Sequence, residues 1–277
     1  MTSEPYTIRV MTRPEINLAL EWAAREGWNP GLHDADPNGF LVGLRKGEPI
    51  AAISVVKYGE AFAFLGCYIV RPEFRGRGYG LQLWQAGMES LRGRTVGLDG
   101  VVAQQANYRK SGFQFAHRNI RYEGTGSGES SDSRDIVPLV SVPFAEITAC
   151  DRLGFPVQRP AFLQRWITQP GARALGLVKE GRLAGYGVIR PCRIGLKIGP
   201  LFAEDLDTAE RLFAELRAGI PTTTQVYLDV PEVNRLAVQL AERHGMRVVF
   251  ETARMYAGEA PSLDWHRVFG VTSFELG

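Results

Sequence analysis

The densest chemistry in the chain lies at Arg71 to Gly80, RPEFRGRGYG, with three arginines and three glycines in ten residues. An apolar run, AFAFLGCYIV, leads into it and an amphipathic one, YGLQLWQAGMESLRG, leads out. A strand that enters a glycine turn and leaves as a helix makes an anion site, because the first helical N–H groups have no partner within the helix and carry partial positive charge. Gly76, Gly78 and Gly80 let the backbone approach an anion with no Cβ in the way. Arg75 and Arg77 can add charge-assisted bonds, and Tyr79 starts the helix whose amides would face the ligand. Spacing then sorts the phosphate motifs. A Walker loop needs Lys-Ser or Lys-Thr, absent here. The dinucleotide fingerprint needs a glycine where Leu81 stands. A kinase loop fails at the same place, and no H-R-D or D-F-G occurs. What fits is R-x-x-G-x-G at Arg75, Gly78 and Gly80, preceded by Val70-Arg71-Pro72.

The flanking elements must position that turn. YTIRV reads as a strand, and RPEINLALEWAAREGW as a helix with Ile16 and Leu20 on one face. NPGLHDADPNG is dense in Pro, Gly, Asn and Asp and reads as a loop. FLVGLRKG, EPIAAISVVKYG and AFAFLGCYIV predict three strands in an antiparallel meander. After the helix that ends at Gly93 come a strand, TVGLDGV, a short helix, QQANYRKSGF, and a last strand, QFAHRNIRYEG. Residues 124–135 lie in a tract without apolar side chains and read as a flexible linker between domains at 1–123 and 136–277. The second half echoes the first: Gly47, Asp99 and Gly112 match Gly181, Asp229 and Gly245, each about one domain length further on. A duplicated domain is the expectation.

Composition excludes several classes. With 45% hydrophobic and 22% charged residues the chain is globular, and a net charge of +2 gives no basic stripe for nucleic acid. No apolar run is long enough for a membrane span, and the start of the chain lacks the pattern of a signal peptide. Three isolated cysteines, Cys67, Cys150 and Cys192, form no C-x-x-C pair and fit a reducing cytoplasm. His117, His244 and His266 lack metal-ligand spacing, so no metal is expected. G-x-S-x-G is absent, which removes a serine hydrolase of that kind.

Two motifs together, R-x-x-G-x-G after V-x-P and NYRKSGF at Asn107 to Phe113, resemble the GNAT N-acetyltransferase superfamily. The strings EGWNPGL, LDGVVAQQANYRKSGF and RVFGVTSFELG resemble its YitH-like tandem branch. The resemblance implies an α/β (α+β) fold of tandem GNAT-like domains, each a mixed, mostly antiparallel twisted sheet flanked by helices. It implies acetyl-CoA as cosubstrate, held at Arg75 to Gly80 and by the backbone of Tyr68, Ile69 and Val70. Many members place an asparagine near Val101; here Gln104 is the candidate substitute. In the second half, Glu204, Asp205 and Asp207 stand where the arginines would be, and carboxylates repel a pyrophosphate, so that half is expected to be degenerate.

The resemblance also implies direct attack of an amine on the thioester, which needs a deprotonated amine, donors for an oxyanion and an acid for the leaving thiolate. Tyr108, a phenol still protonated at neutral pH, is the candidate acid; its other reading is packing beside Phe113. Glu21, Asp34, Asp36, Glu60 and Glu73 lie toward the acceptor side, and none is assigned as base. Trp28 is read either as stacking on the acceptor or as an apolar cap after Gly27, and Asn29 and Asp34 as groups that orient it. The expected activity is acetyl transfer to a small-molecule amine in the cytoplasm, with no nucleic acid or membrane partner and a homodimer left open. The alternatives are a non-catalytic acyl-CoA sensor and transfer of a longer acyl group.

Overall fold

The computed structural model describes residues 6–26, 36, 38–128 and 133–277. The first half runs β1 (Tyr6–Val10), α1 (Arg13–Arg25), β2 (Phe40–Arg45), β3 (Glu48–Tyr58), β4 (Phe62–Val70), α2 (Tyr79–Ser90), β5 (Thr95–Val101), α3 (Gln105–Lys110) and β6 (Phe113–Thr125). The second runs β7 (Ile136–Pro138), α4 (Phe144–Gly154), α5 (Pro160–Ile167), β8 (Arg173–Lys179), β9 (Arg182–Pro191), β10 (Leu196–Ala203), α6 (Leu206–Arg217), β11 (Gln225–Pro231), α7 (Arg235–Arg243), β12 (Arg247–Ala257) and β13 (Val268–Gly270). The repeated residues fall at equivalent places. Gly47 and Gly181, at φ 79° and 78°, make the β2–β3 and β8–β9 turns, where only glycine takes positive φ without strain. Gly112 and Gly245, at φ 86° and 65°, end α3 and α7.

The expected antiparallel meander, β2 to β4, is present, with β1 antiparallel to β2, and the sheet is mixed but mostly antiparallel, with β4–β5 and β10–β11 parallel. The two halves share one sheet in the order β1-β2-β3-β4-β5-β12-β6-β11-β10-β9-β8-β7. Each half gives its last long strand to the other: β12 lies between β5 and β6, and β6 lies between β12 and β11. Helices cover both faces, so β3 reads as an unbroken buried run rather than an alternating one. On one face α1, α4 and α5 close over a core common to both halves, in which Tyr58 and Phe62 meet Phe155 edge-on at 4.9 and 5.7 Å. On the other, α2 covers the first half, and α6 and α7 the second.

The exchange is matched by charge. Arg254 of β12 donates from Nε and Nη2 to Asp99 of β5 at 2.8 and 2.7 Å. Arg121 of β6 donates in the same way to Asp229 of β11 at 2.6 and 2.7 Å. The repeated aspartates are thus the acceptors of two reciprocal, buried ion pairs between the halves. The stretch expected to be a linker begins inside β6 at Gly124 and Thr125, and the Gly126 and Gly128 amides then donate to the Thr224 and Ile220 carbonyls at 3.0 and 2.9 Å. Among the described residues no helix is long and apolar enough to cross a membrane.

One histidine at this seam has a pH consequence. His117 of β6 is 4% exposed, its ring is edge-on to Trp265 at 4.4 Å, and its Nε2 is buried without a hydrogen bond. Burial first, and the Arg254 charge second, push its pKa down to about 3. The unfolded chain takes up this proton near pH 6.5 and the folded chain near 3, so folding stability falls as pH drops through that window. The expected loss between pH 7 and pH 5 is about 2 kcal/mol from this group. Urea unfolding at both pH values checks it: His117→Gln should lose less stability on acidification than the parent, and an equal loss would remove His117 as the cause.

Candidate active site

The site begins where two strands part. β4 pairs with β5 only over Phe62–Leu65 against Thr95–Leu98. Beyond that, β4 bulges against β3. Ala52 faces Ile69 and Ser54 faces Gly66, so Cys67 and Tyr68 together stand opposite Ile53. Cys67 takes φ 46°, a left-handed conformation costing a side-chain-bearing residue about 1–2 kcal/mol. A bulge bends its strand, and past it the β5-facing edge of Tyr68 to Val70 has no partner strand among the described residues.

A groove of about 1020 Å³ opens between this edge, α2 and α3. Tyr68, Ile69, Val70, Arg75, Gln104 and Tyr108 all line it. The turn into α2 places Gly76 and Gly78 at φ 74° and 82°, and Gly78 is an N-cap with no side-chain acceptor, so the first amides of α2 are left open. Gly80 lets the helix close on β4, since a Cβ there would stand 2.6 Å from the Tyr68 hydroxyl. The two arginines expected to add charge-assisted bonds each have a partner within the chain. Arg75 lines the groove, but its Nε donates to the Val70 carbonyl at 2.8 Å and its Nη2 pairs with Glu26. Arg77 lies over the Phe74 ring at 5.9 Å, and the Tyr79 ring packs on Tyr6 at 4.9 Å. Gln104 accepts from Asn107 Nδ2 at 2.7 Å.

The matching place in the second half is closed twice over. The Asp205 carboxylate caps α6 by accepting from the Thr208 amide at 2.7 Å. Lys179 Nζ lies 3.5 Å from Glu204 and 3.1 Å from Asp205. β10 has a bulge corresponding to that of β4, but its edge beyond is taken by β13, with Leu201 and Phe202 facing Gly270 and Val268.

Tyr108 stands at the inner end of the groove. Its ring stacks on Trp84 at 5.7 Å and packs against β5 at Gly100, where a Cβ would be 2.3 Å from it. Burial raises its pKa to about 12, with Tyr68 adding to the shift and the Val101 amide opposing it. Tyr68, Val101 and Tyr108 also line a second cavity of about 50 Å³, walled by Cys67, Asp99, Phe250, Thr252, Phe274 and Glu275 among others. Burial pushes the Cys67 thiol up, so it is no thiolate.

Trp28, Asn29 and Asp34 lie outside the described residues. None of the other carboxylates weighed as a base lines either cavity. Asp36 accepts from the Asn38 amide at 2.9 Å, Glu60 pairs with Arg94 at 2.8 Å, Glu73 binds Arg71 Nε at 2.9 Å, and Glu21 is exposed. Sequence reasoning missed Asn107, Lys110 and Ser111 as groove residues, although all flank Tyr108 on the motif already singled out. It also missed Phe250, Phe274 and Glu275, for which no local signal exists. Among the described residues no cluster of His, Cys, Asp or Glu could hold a metal.

Two GNAT-type units, one with an open groove and one plugged, define an acyltransferase of tandem build. Residues 4–113 match the model described as the acetyltransferase (GNAT) family, and residues 147–270 match that of an acetyltransferase (GNAT) domain. The chain belongs to the GNAT acyltransferases. It is 31% identical over 282 residues to holothin acyltransferase of Pseudoalteromonas sp. (strain SANK 73390), covering 99% of this chain and 95% of that one. It is 25% identical over 176 residues to the uncharacterized N-acetyltransferase YitH of Bacillus subtilis (strain 168), covering 62% of each. In fold it is similar to the crystal structure of a putative acetyltransferase from Pyrococcus horikoshii, with a TM-score of 0.83 at 23% identity over 100% of this chain and 98% of that one.

Proposed function

We propose that the chain transfers an acetyl group from acetyl-CoA to the amine of a small molecule, in the reducing cytoplasm, using the first half alone to hold the cosubstrate. One observation carries this reading: Tyr68, Val101 and Tyr108 line both the long groove and the small cavity at its end. The groove has the volume for a nucleotide-sized ligand with an arm. The cavity of about 50 Å³ has room for about three or four water-sized groups, which favours acetyl over a longer acyl group. The relative named as an acyltransferase supports transfer over cofactor sensing.

Bound acetyl-CoA supplies a thioester carbonyl and a thiol leaving group. The open amides of Gly76 to Gly80 receive its phosphates, and the free edge of Tyr68, Ile69 and Val70 receives the arm that follows. Tyr108 holds a proton at its hydroxyl for the departing sulfur. Gln104 lies on the groove wall within reach of the same ligand. Arg75, released from Glu26, adds a charge-assisted bond to a phosphate.

Titration calorimetry with acetyl-CoA, beside the acetyl-pantetheine analogue that lacks the phosphates, tests the reading. The expected result is one acetyl-CoA per chain, because β13 fills the second place, and binding weakened by more than about tenfold without the phosphates. Release of free CoA thiol with a panel of primary amines then tests turnover. No binding to either compound would leave Arg71 to Gly80 as a structural turn and end the acetyltransferase reading.

A further inference from the structure

The cavity of about 50 Å³ takes its walls from both halves. Tyr68, Val101 and Tyr108 are the side it shares with the groove. Leu65 and Leu98, which face each other where β4 and β5 still pair, close it on the first half's side. Two aromatic rings of the second half, Phe250 and Phe274, complete its apolar wall. Phe250 stands on β12 two residues before Thr252, where pairing with β5 begins at Val101, so it lies past the end of β5 and on the same face as Thr252.

Phe274 is held from several directions. It is 6% exposed, and its ring meets the Arg121 guanidinium at 4.5 Å and the Phe250 ring at 6.3 Å. Arg121 is fixed in turn by both oxygens of Asp229. The backbone around the ring is clamped as well. Val271 to Gly277 follow β13 and are buried throughout, and the Gly277 amide donates to the Ser273 carbonyl at 3.0 Å, which closes a turn about Phe274. The Tyr58 hydroxyl donates to the Leu276 carbonyl at 2.9 Å, and Arg159 Nη2 donates to the Thr272 hydroxyl at 2.9 Å. A Cβ on Gly66 would stand 2.6 Å from the Glu275 carbonyl oxygen, so a bare backbone on β4 is what lets the segment lie against the strand next to its bulge. The Glu275 side chain anchors the same segment: burial lowers the pKa of Arg190, and Glu275 is the first charge that opposes the shift. The run that plugs the second half's groove thus lays one clamped ring on the first half's cavity.

We infer that Phe274 sets the acyl length: its ring is the wall against which the acyl chain of a bound acyl-CoA ends, so the second half measures the group that the first half transfers. This rests on the acetyltransferase reading and deepens it by naming the residue that keeps out acyl groups longer than acetyl. A ring packed on both neighbours and set in a clamped turn does not step aside for added methylenes, because close-packed interiors yield little to extra volume.

The test is calorimetry with no amine present, titrating CoA, acetyl-CoA and hexanoyl-CoA into the parent and into Phe274→Ala. Hexanoyl exceeds acetyl by four methylenes, fewer carbons than the ring that the substitution removes. The parent should bind hexanoyl-CoA no more tightly than acetyl-CoA. Phe274→Ala should bind CoA and acetyl-CoA within about threefold of the parent, and hexanoyl-CoA at least about tenfold more tightly than acetyl-CoA, since each newly buried methylene is worth up to about fourfold. Failure of the parent to bind CoA would count against the acetyltransferase reading, and the inference would fall with it. A parent that binds CoA and already gains tenfold from the longer chain, or a Phe274→Ala variant with the parental ratio of the two acyl-CoA affinities, would overturn the inference alone. Should Phe274→Ala melt too low to titrate, Phe274→Leu should bind butyryl-CoA several-fold more tightly than acetyl-CoA where the parent does not, and the parental ratio there overturns the inference equally. Phe155→Leu makes the same change in the common core, at a residue that does not line this cavity. It should keep the parental ratio, and a rise equal to that of Phe274→Leu would mean general loosening and overturn the assignment to Phe274.

Discussion

Tyr108→Phe is expected to lower kcat by about two to four orders of magnitude, the usual contribution of a positioned general acid, while acetyl-CoA affinity stays within about threefold of the parent. The substitution removes one oxygen and leaves the ring, and the ring is what the site packs: it stacks on Trp84 and fills the space over Gly100. Binding should therefore survive. The pKa of about 12 adds a second expectation. A phenol buried to that extent keeps its proton through pH 10, so the parent's kcat should show no alkaline fall from Tyr108 below that pH. Release of CoA thiol followed from pH 7 to pH 10 checks both points. A phenylalanine variant as fast as the parent would take Tyr108 out of the mechanism and leave it as the packing residue that its neighbours Trp84 and Phe113 also allow.

Some of this was legible in residue types alone, for identifiable reasons. The turn into α2 could be read because positive φ leaves glycine as its trace, and Gly76 and Gly78 have it at 74° and 82°. The repeated Gly47 and Gly181 could be read as turns for the same reason. Asp99 and Asp229 could be seen to repeat, but not why: their arginines arrive from strands more than a hundred residues away, and no local pattern names a partner. The partner of Arg75 could not be read, because Glu26 comes to it from the end of α1, 49 residues earlier, whereas Phe74, under Arg77, stands in the turn motif itself. The exchange of β6 and β12 was invisible, since an alternating strand has the same pattern whichever strand lies beside it. Glu275 sits in a closing apolar string where nothing marks one carboxylate as meeting a strand two hundred residues earlier.

That exchange sets the second large effect. A fragment of residues 1–128 is expected not to fold into a stable monomer, even though it contains every element from β1 to β6. Among the described residues β6 has only β11 and β12 as neighbouring strands, both from the second half, and β5 has β12 on its open side from Val96 to Val101. Removing the second half strips both edges and leaves Asp99 buried without Arg254. An uncompensated buried charge of that kind costs about 3–5 kcal/mol, set against a total stability of about 5–15 kcal/mol for a typical domain. The apolar face that Phe155, Phe162 and Phe202 cover in the common core would be exposed as well. The same reasoning predicts that the intact chain unfolds in urea as one transition, with near- and far-UV circular dichroism coincident, because neither half can keep its sheet after the other has left. Two separated transitions, or a 1–128 fragment that unfolds cooperatively and binds acetyl-CoA, would mean that the halves are independent domains and that the shared strands contribute little to holding either one.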